Sequence, residues 1–304
     1  MGKIAFVFPG QGSQYVGMAR DLYESSKDLM DNANFTIGFS LTDIMFNGPI
    51  ESLKQTDITQ PAIFLHSISI LNKIKTLKPD MVAGHSLGEY SALFAANVIS
   101  EFDGLKLVRT RGEAMLQAGI ELPGTMAAIV GLESEKINKI CTEVSKNNIV
   151  QSANFNSPGQ VVISGTIKGV QKAMQLAKEN GAKLVKELVV SGAFHSPLMA
   201  SAKIKLLQKI NETNFNDATI PIYANVTAKP VTDKSEITKL LFEQLSTPVR
   251  WEETIENMIA DGATKFYEIG PGKVLQGLIK RINKNVEVFG IDNISNISNL
   301  TNWL

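Results

Sequence analysis

Residues 3–8, KIAFVF, form an apolar run that stops at Pro9 and Gly10, predicting a first strand that enters a glycine turn. The following segment, PGQGSQYVGMARDLYESS, predicts a turn leading into a helix. In residues 60–77, QPAIFLHSISILNKIKTL, apolar positions recur at helical intervals, with Pro61 near the start, where proline is tolerated. KPD breaks that pattern, and MVAG at 81–84 predicts a short buried strand. Helices are predicted next at about 87–97 and 103–118. Strands alternating with helices imply an α/β fold with a parallel sheet.

From about 124 to 190 the rhythm changes. TMAAIVGL predicts a strand and ESEKINKICTEVSK a helix; IVQSANFN and QVVISG predict strands around the NSPG turn. IKGVQKAMQLAKENG then reads as a helix ending at Gly181, and AKLVKELVV as a strand. The order β-α-β-β-α-β is the ferredoxin-like one. Residues 124–190 are therefore expected as a compact subdomain inserted into a catalytic domain made of 1–123 and 191–304. IPIYANVTAKPV, ATKFYEIGP and VEVFGID are expected to add strands to that larger body, and the polar last dozen residues to be loosely held.

Composition narrows the function. The chain has 304 residues, 44% hydrophobic and 20% charged, as in an ordinary globular protein. Lysine plus arginine equal aspartate plus glutamate at 30 each, which argues against nucleic acid as a partner. No apolar run approaches a membrane span, Phe6 breaks the myristoylation pattern begun by Gly2, and the start lacks a signal peptide's order. The Asn-x-Ser/Thr triplets then read as coincidental, and a cytoplasmic location is the expectation. The single cysteine, Cys141, excludes an internal disulfide and sits between Ile137, Ile140 and Val144 as a buried thiol would.

The candidate chemistry centres on Gly84-His85-Ser86-Leu87-Gly88, a G-x-S-x-G between a predicted strand and a predicted helix. Small neighbours are required there because the serine occupies a strained turn, and the helix N-terminus favours a developing anion. Serine needs a base, usually histidine, and the chain has three. His85 adjoins Ser86 but leaves the backbone in another direction, and His66 lies in an apolar helical stretch as a core residue would. His195, in SGAFHSPLM on a loop after the subdomain, is the chosen base. No triad acid stands out: Asp103 is the only aspartate between Ser86 and His195. In FPGQGSQYVGM, Tyr15 breaks the dinucleotide fingerprint and Met18-Ala19 break the P-loop. That turn could instead supply a backbone N–H which joins that of Leu87 in an oxyanion hole. On the predicted helix at 103–118, Arg109 and Arg111 both flank the apolar face formed by Leu105, Val108, Met115 and Leu116. An arginine reaching the serine would select an acyl group bearing a carboxylate, but periodicity does not choose between the two.

FPGQGSQYVGM, GHSLGEYSAL, RTRGEAM, NSPGQVVISG, GAFHSPLM, NVTAKPV and EIGPGKVLQGL, in that order from about residue 3 to 290, resemble the bacterial malonyl-CoA:acyl carrier protein transacylases. Stand-alone polyketide acyltransferases look similar. The resemblance implies an α/β-hydrolase-like core with the ferredoxin-like subdomain. It implies Ser86 as nucleophile, His195 as base and acid, and the N–H groups of Gln11 and Leu87 as oxyanion hole. It selects Arg111 for the malonyl carboxylate, Gln244 as the residue whose carbonyl orients the histidine, and Met115 and Phe194 beside the acyl group. Phe194 would crowd out an α-methyl branch. The implied partners are malonyl-CoA and holo-acyl carrier protein, with a monomer expected, no cofactor and no metal; the CoA thioester is itself the substrate. Lys280, Arg281 and Lys284 offer either a docking patch for an acidic carrier or an ordinary solvated helix face. The rival functions are a serine thioesterase or esterase and a non-catalytic carrier-binding module.

Overall fold

A computed structural model describes residues 2–302. Its strands are β1 Lys3–Phe8, β2 Met81–Gly84, β3 Gly124–Val130, β4 Val150–Ser157, β5 Gln160–Thr166, β6 Leu184–Glu187, β7 Ile222–Tyr223, β8 Pro230–Val231, β9 Ala263–Ile269 and β10 Glu287–Ile291. They form a mixed α/β fold with two sheets, one ordered β10-β9-β1-β2-β7-β8 and the other β4-β5-β3-β6. In the first, β10, β9, β1, β2 and β7 run parallel, and β8 pairs antiparallel with β7. Helices cover a parallel sheet, so its strands read as continuous apolar runs. Residues 5–8 of β1 and all four of β2 are buried.

The register fixes where chemistry can occur. Phe8 pairs with Gly84, so β1 and β2 end side by side. The Pro9–Gly12 turn and the Ser86 turn thus emerge together from the carboxyl edge of the sheet, where α/β folds bind ligands.

The helix expected at 60–77 is Thr56–Leu71, and every residue from Ile58 to Ile70 is buried. A helix buried on every face is a core helix, and its polar side chains Thr59, Gln60, His66, Ser67 and Ser69 are buried with the rest. Proline at position 61 lacks the N–H that would bond to the Asp57 carbonyl four residues back; Arg109 Nη1 donates to that carbonyl instead, at 2.7 Å. The helix Glu101–Glu121 begins at a capped end, with Ser100 Oγ accepting from Asp103 N at 3.1 Å. Asp103 Oδ2 in turn accepts from Ser100 Oγ at 2.7 Å, so this aspartate belongs to a helix cap.

Strands β3 to β6, with the helices Ser134–Val144 and Ile167–Glu179, follow the order β-α-β-β-α-β. Their sheet is antiparallel throughout. Cys141 packs in its core with Ile137, Ile140 and Val144, and burial pushes its thiol up to about 11. Strand β4 is stitched to the larger body where Phe155 N donates to Val249 O at 2.9 Å and Val249 N donates to Ala153 O at 2.8 Å.

The described part of the tail departs from expectation, while positions 303 and 304 lie outside the described residues. Residues Ile294–Ser298 form a short helix capped by the Asn293 side chain. Ile294 N donates to Asp21 Oδ2 at 2.8 Å, and Leu300 is buried against the main core. The polar composition hid one apolar anchor and one cap. Among the described residues, no helix is long and apolar enough to cross a membrane.

Candidate active site

Strand β2 ends at Gly84 and the next helix begins at Gly88, which leaves Ser86 on the turn between them with φ 53°. Left-handed backbone is costly for a serine and persists only where its surroundings impose it. Here a Cβ on Gly84 would lie 1.8 Å from Gly88 C, and one on Gly88 would lie 2.0 Å from Phe8 O. Both glycines are therefore steric requirements of the turn. Asn225 closes it, accepting from Ser86 N at Oδ1 (2.7 Å) and donating from Nδ2 to Gly84 O (2.6 Å).

His195 also has positive φ, 55°, and is buried. Its Nε2 lies 2.8 Å from Ser86 Oγ, and its Nδ1 lies 2.9 Å from Gln244 O and 3.2 Å from Thr247 O. Carbonyls only accept, so Nδ1 carries the proton and Nε2 offers its lone pair to the serine hydroxyl. Burial foremost, then the charge of Arg111, pushes the imidazole down to about 3; the carbonyl contacts pull the other way. The ring is thus a neutral acceptor at ordinary pH. His85 turns away, with Nε2 2.8 Å from Asn156 Oδ1 and its ring edge-on to Trp251. His66 is a core residue, 2.7 Å from the Asp292 carbonyl oxygen.

The structure separates the two arginines. Arg109 pairs with Asp57 Oδ2 at 3.1 Å and with Glu113 Oε1 at 2.7 Å. Arg111 is buried and directs Nη1 to Gln60 Oε1 (2.8 Å) and Nη2 to both Gln244 Oε1 (2.9 Å) and Ser86 Oγ (3.1 Å). A guanidinium has five N–H donors, and Arg111 Nε has no partner among the described residues. Its charge also lies over the Tyr90 ring, 5.6 Å from the centroid. A buried cation with free donors beside a serine hydroxyl is suited to an anionic group on whatever that serine attacks.

A cavity of about 240 Å³ opens onto Ser86, His195 and Arg111, and Gln11, Leu87, Met115 and Phe194 line it. The backbone N–H groups of Gln11 and Leu87 donate to nothing among the described residues. Gln244 does more than present a carbonyl: its Nε2 donates to Ser86 O at 3.0 Å and to Glu89 Oε2 at 2.9 Å. All eight residues expected from the sequence therefore belong to this one site or touch it.

Sequence reasoning missed Gln60, Glu89, Gln151 and Asn225. Gln151 Nε2 donates to His195 O at 2.7 Å and so holds the histidine loop. Gln60 had a visible signal, a lone polar side chain entering the apolar run QPAIFLH. Glu89 and Asn225 fall within GHSLGEYSAL and NVTAKPV, which carry the resemblance, but nothing local gives them a role, because their partners are remote in the chain.

A serine on a strand–turn–helix elbow, hydrogen-bonded to a histidine that is oriented by carbonyls, on a parallel-sheet frame, defines the class: α/β proteins built for serine-mediated acyl chemistry. The chain belongs to the acyl transferase domain family, whose model matches residues 5–298. It is 48% identical over 297 residues to the malonyl CoA-acyl carrier protein transacylase of Bacillus subtilis (strain 168), covering 96% of this chain and 94% of that one. It superposes on the crystal structure of an acyl carrier protein S-malonyltransferase from Vibrio cholerae with TM-score 0.94 and 43% identity, over 98% of this chain and 99% of that one. A malonyl-transacylase in complex with its type II polyketide-synthase acyl carrier protein matches with TM-score 0.95 and 37% identity, over 99% of this chain and 100% of that one.

Proposed function

We propose that the protein is a malonyl-CoA:acyl carrier protein transacylase of fatty acid synthesis. One observation carries this reading furthest: the Arg111 guanidinium, buried and paired with no carboxylate among the described residues, donates to Ser86 Oγ at 3.1 Å. It selects an acyl group that brings its own carboxylate. Once Oγ becomes an ester oxygen, a poorer acceptor, the Nη2 donor is released to the malonyl carboxylate.

In the first half-reaction Ser86 Oγ attacks the thioester carbonyl of malonyl-CoA while His195 Nε2 takes its proton. The imidazolium keeps Nδ1–H on the Gln244 and Thr247 carbonyls. The tetrahedral oxyanion faces the N–H groups of Gln11 and Leu87, where one such donor is typically worth ~10²–10³ in rate. Collapse breaks the C–S bond, and His195 returns the proton to the CoA sulfur. In the second half the phosphopantetheine thiol of acyl carrier protein gives its proton to His195 and attacks the malonyl ester. Collapse restores Ser86 with the same proton.

Met115 and Phe194 flank the acyl group, and Phe194 resists an α-methyl branch. One methyl is worth only about 1–3 kcal/mol, so that selection is weaker than the demand for a carboxylate. We read residues 1–123 and 191–304 as an α/β-hydrolase-like catalytic domain and 124–190 as a ferredoxin-like insertion. The working form is read as a cytoplasmic monomer that needs no cofactor. Lys280 and Arg281 are exposed on the helix Val274–Ile282, whose Val274, Leu275 and Leu278 line the cavity, which favours that face for an acidic carrier.

The test is intact-protein mass after brief incubation with malonyl-CoA, acetyl-CoA or methylmalonyl-CoA, with Ser86→Ala as control. A malonyl adduct absent from Ser86→Ala and discharged onto holo-acyl carrier protein is the expected result. Free malonate without transfer would make the protein a hydrolase.

A further inference from the structure

Glu89 lies three residues beyond the nucleophile, buried, and no step above uses it. Its Oε2 accepts from Gln244 Nε2 at 2.9 Å and from Asn225 N at 3.1 Å. The opposite atom of the same Gln244 amide, Oε1, accepts from Arg111 Nη2 at 2.9 Å. One amide thus stands between a buried guanidinium and a buried carboxylate, its oxygen toward the cation and its nitrogen toward the anion.

This arrangement meets two opposing needs. An uncompensated buried charge costs several kcal/mol, so Arg111 needs an anion. An anion placed directly on its fork would fill the positions that an incoming carboxylate must take. We propose that Glu89 is the resting counter-charge of Arg111, applied through the Gln244 amide, and that as a positioning residue it limits how tightly the acyl carboxylate is held. The affinity part rests on the malonyl reading of the site; the charge coupling does not.

The consequence is electrostatic. With Glu89 ionised, Arg111 and Glu89 sum to zero before loading and the malonyl carboxylate makes the cluster anionic. With Glu89 neutral, the cluster is cationic when empty and neutral when loaded, so the carboxylate is held more tightly. The groups facing Glu89 are the Gln244 amide, the Asn225 N–H, Arg111 on the helix Glu101–Glu121 and Tyr90 on its own helix. Burial raises the Glu89 carboxyl to about 7 against the opposing pull of Gln244, Asn225 and Arg111, while Tyr90 is pushed up to about 12. Glu89 therefore changes charge in the neutral range and Tyr90 does not.

Two measurements on the full chain test this. The first is a double-mutant cycle in melting temperature at pH 8, which needs no substrate. Glu89→Gln should cost about 2–4 °C more when Arg111 is present than in the Arg111→Gln background. Equal shifts in both backgrounds would overturn the coupling, whatever reaction the protein performs. The second is equilibrium binding of malonyl-CoA and acetyl-CoA to Ser86→Ala with and without Glu89→Gln, from pH 6 to 8. Glu89→Gln should favour malonyl-CoA over acetyl-CoA by roughly tenfold at pH 8, and should abolish the weakening of malonyl-CoA binding with rising pH. Acetyl-CoA cancels the titration of the CoA phosphates. Equal effects on both ligands would reduce Glu89 to a structural residue. Coupling in the melting cycle without malonyl-CoA binding by the parent would condemn the transacylase reading and leave the counter-charge standing.

Discussion

Ser86 and His195, 109 residues apart in the chain, both hold left-handed backbone, φ 53° and 55°, and meet at 2.8 Å between Oγ and Nε2. Each partner of the reacting pair is presented by a strained residue that its neighbours hold in place. Asn225 closes the turn around Ser86, and Gln151 grips the carbonyl of His195. Positioning of this kind converts the proton transfer into a step between fixed groups.

The protonation state of His195 leads to a pH profile. Its folded value is pushed down to about 3 from 6.5, so the base stays neutral through the range where an ordinary histidine would protonate. The rate of Ser86 malonylation at saturating malonyl-CoA is expected to show no acid limb between pH 8 and pH 5. Quenched-flow with mass detection measures it, and a tenfold fall centred near pH 6.5 would refute the assignment.

The elbow glycines lead to a steric prediction. In Gly88→Ala the new methyl would meet Phe8 O at 2.0 Å, a backbone atom that cannot swing aside. The collision pushes β1 and the helix Gly88–Ala95 apart, and Gln11 and Leu87 lie on the turns that adjoin those two elements. Expected outcomes are a melting point lower by several degrees and malonyl loading slower by about 100-fold. Calorimetry and a loading time course check both; normal loading would show that the proposed oxyanion role of the Gln11 and Leu87 amides does not depend on this contact.

The elbow was legible in the sequence because its constraints are local: a short apolar strand, two small residues around a serine, and a helix. The base was legible because three histidines can be sorted by their immediate contexts. The choice of arginine was not, since both flank the same helix face. What decides it is remote: Pro61 frees the Asp57 carbonyl, and Arg109 occupies it. The Asn225, Glu89 and Gln244 network was invisible for the same reason, its bonds spanning separations of 136 to 158 residues. Gln244 entered only through resemblance, as a carbonyl, and that gave no hint of its amide. The smaller sheet was legible because each strand and helix carries its own apolar period.

Glu268 gives a stability prediction. Buried at the end of β9, it accepts from Leu275 N at 3.0 Å, Gln276 N at 3.2 Å and Gln276 Nε2 at 3.0 Å, and thereby anchors the helix Val274–Ile282 beside the cavity. Burial raises its carboxyl to about 7 from 4.5, the three donors opposing. Between those values the folded state binds more protons than the unfolded one, so this group's contribution to stability falls as pH rises. Glu268→Gln removes the titration. The melting temperature of the variant minus that of the parent should therefore increase from pH 5 to pH 8; a flat difference would mean that the carboxyl is ionised throughout.

Arg111 and Arg109 make the sharpest test, because the two differ by two positions on one helix. Arg109 is neutralised by Asp57 and Glu113 and repairs the carbonyl freed by Pro61. Its removal leaves one helix carbonyl unsatisfied, a loss of about 1–3 kcal/mol in stability with no direct effect on acyl choice. Arg111 reaches Ser86 Oγ and has donors to spare, so beyond the loss of its bonds to Gln60 and Gln244 and of its coupling to Glu89, its removal should penalise the acyl group that carries a carboxylate. In Arg111→Gln, malonyl loading is expected to fall by about 100-fold or more while acetyl loading is retained, since a bidentate charged contact is lost to one acyl group and was never made by the other. Arg109→Gln should melt earlier with an unchanged malonyl-to-acetyl ratio. Both ratios come from one mass-spectrometric competition between the two thioesters, and a ratio that collapses in Arg109→Gln but not in Arg111→Gln would reverse the assignment of the carboxylate clamp.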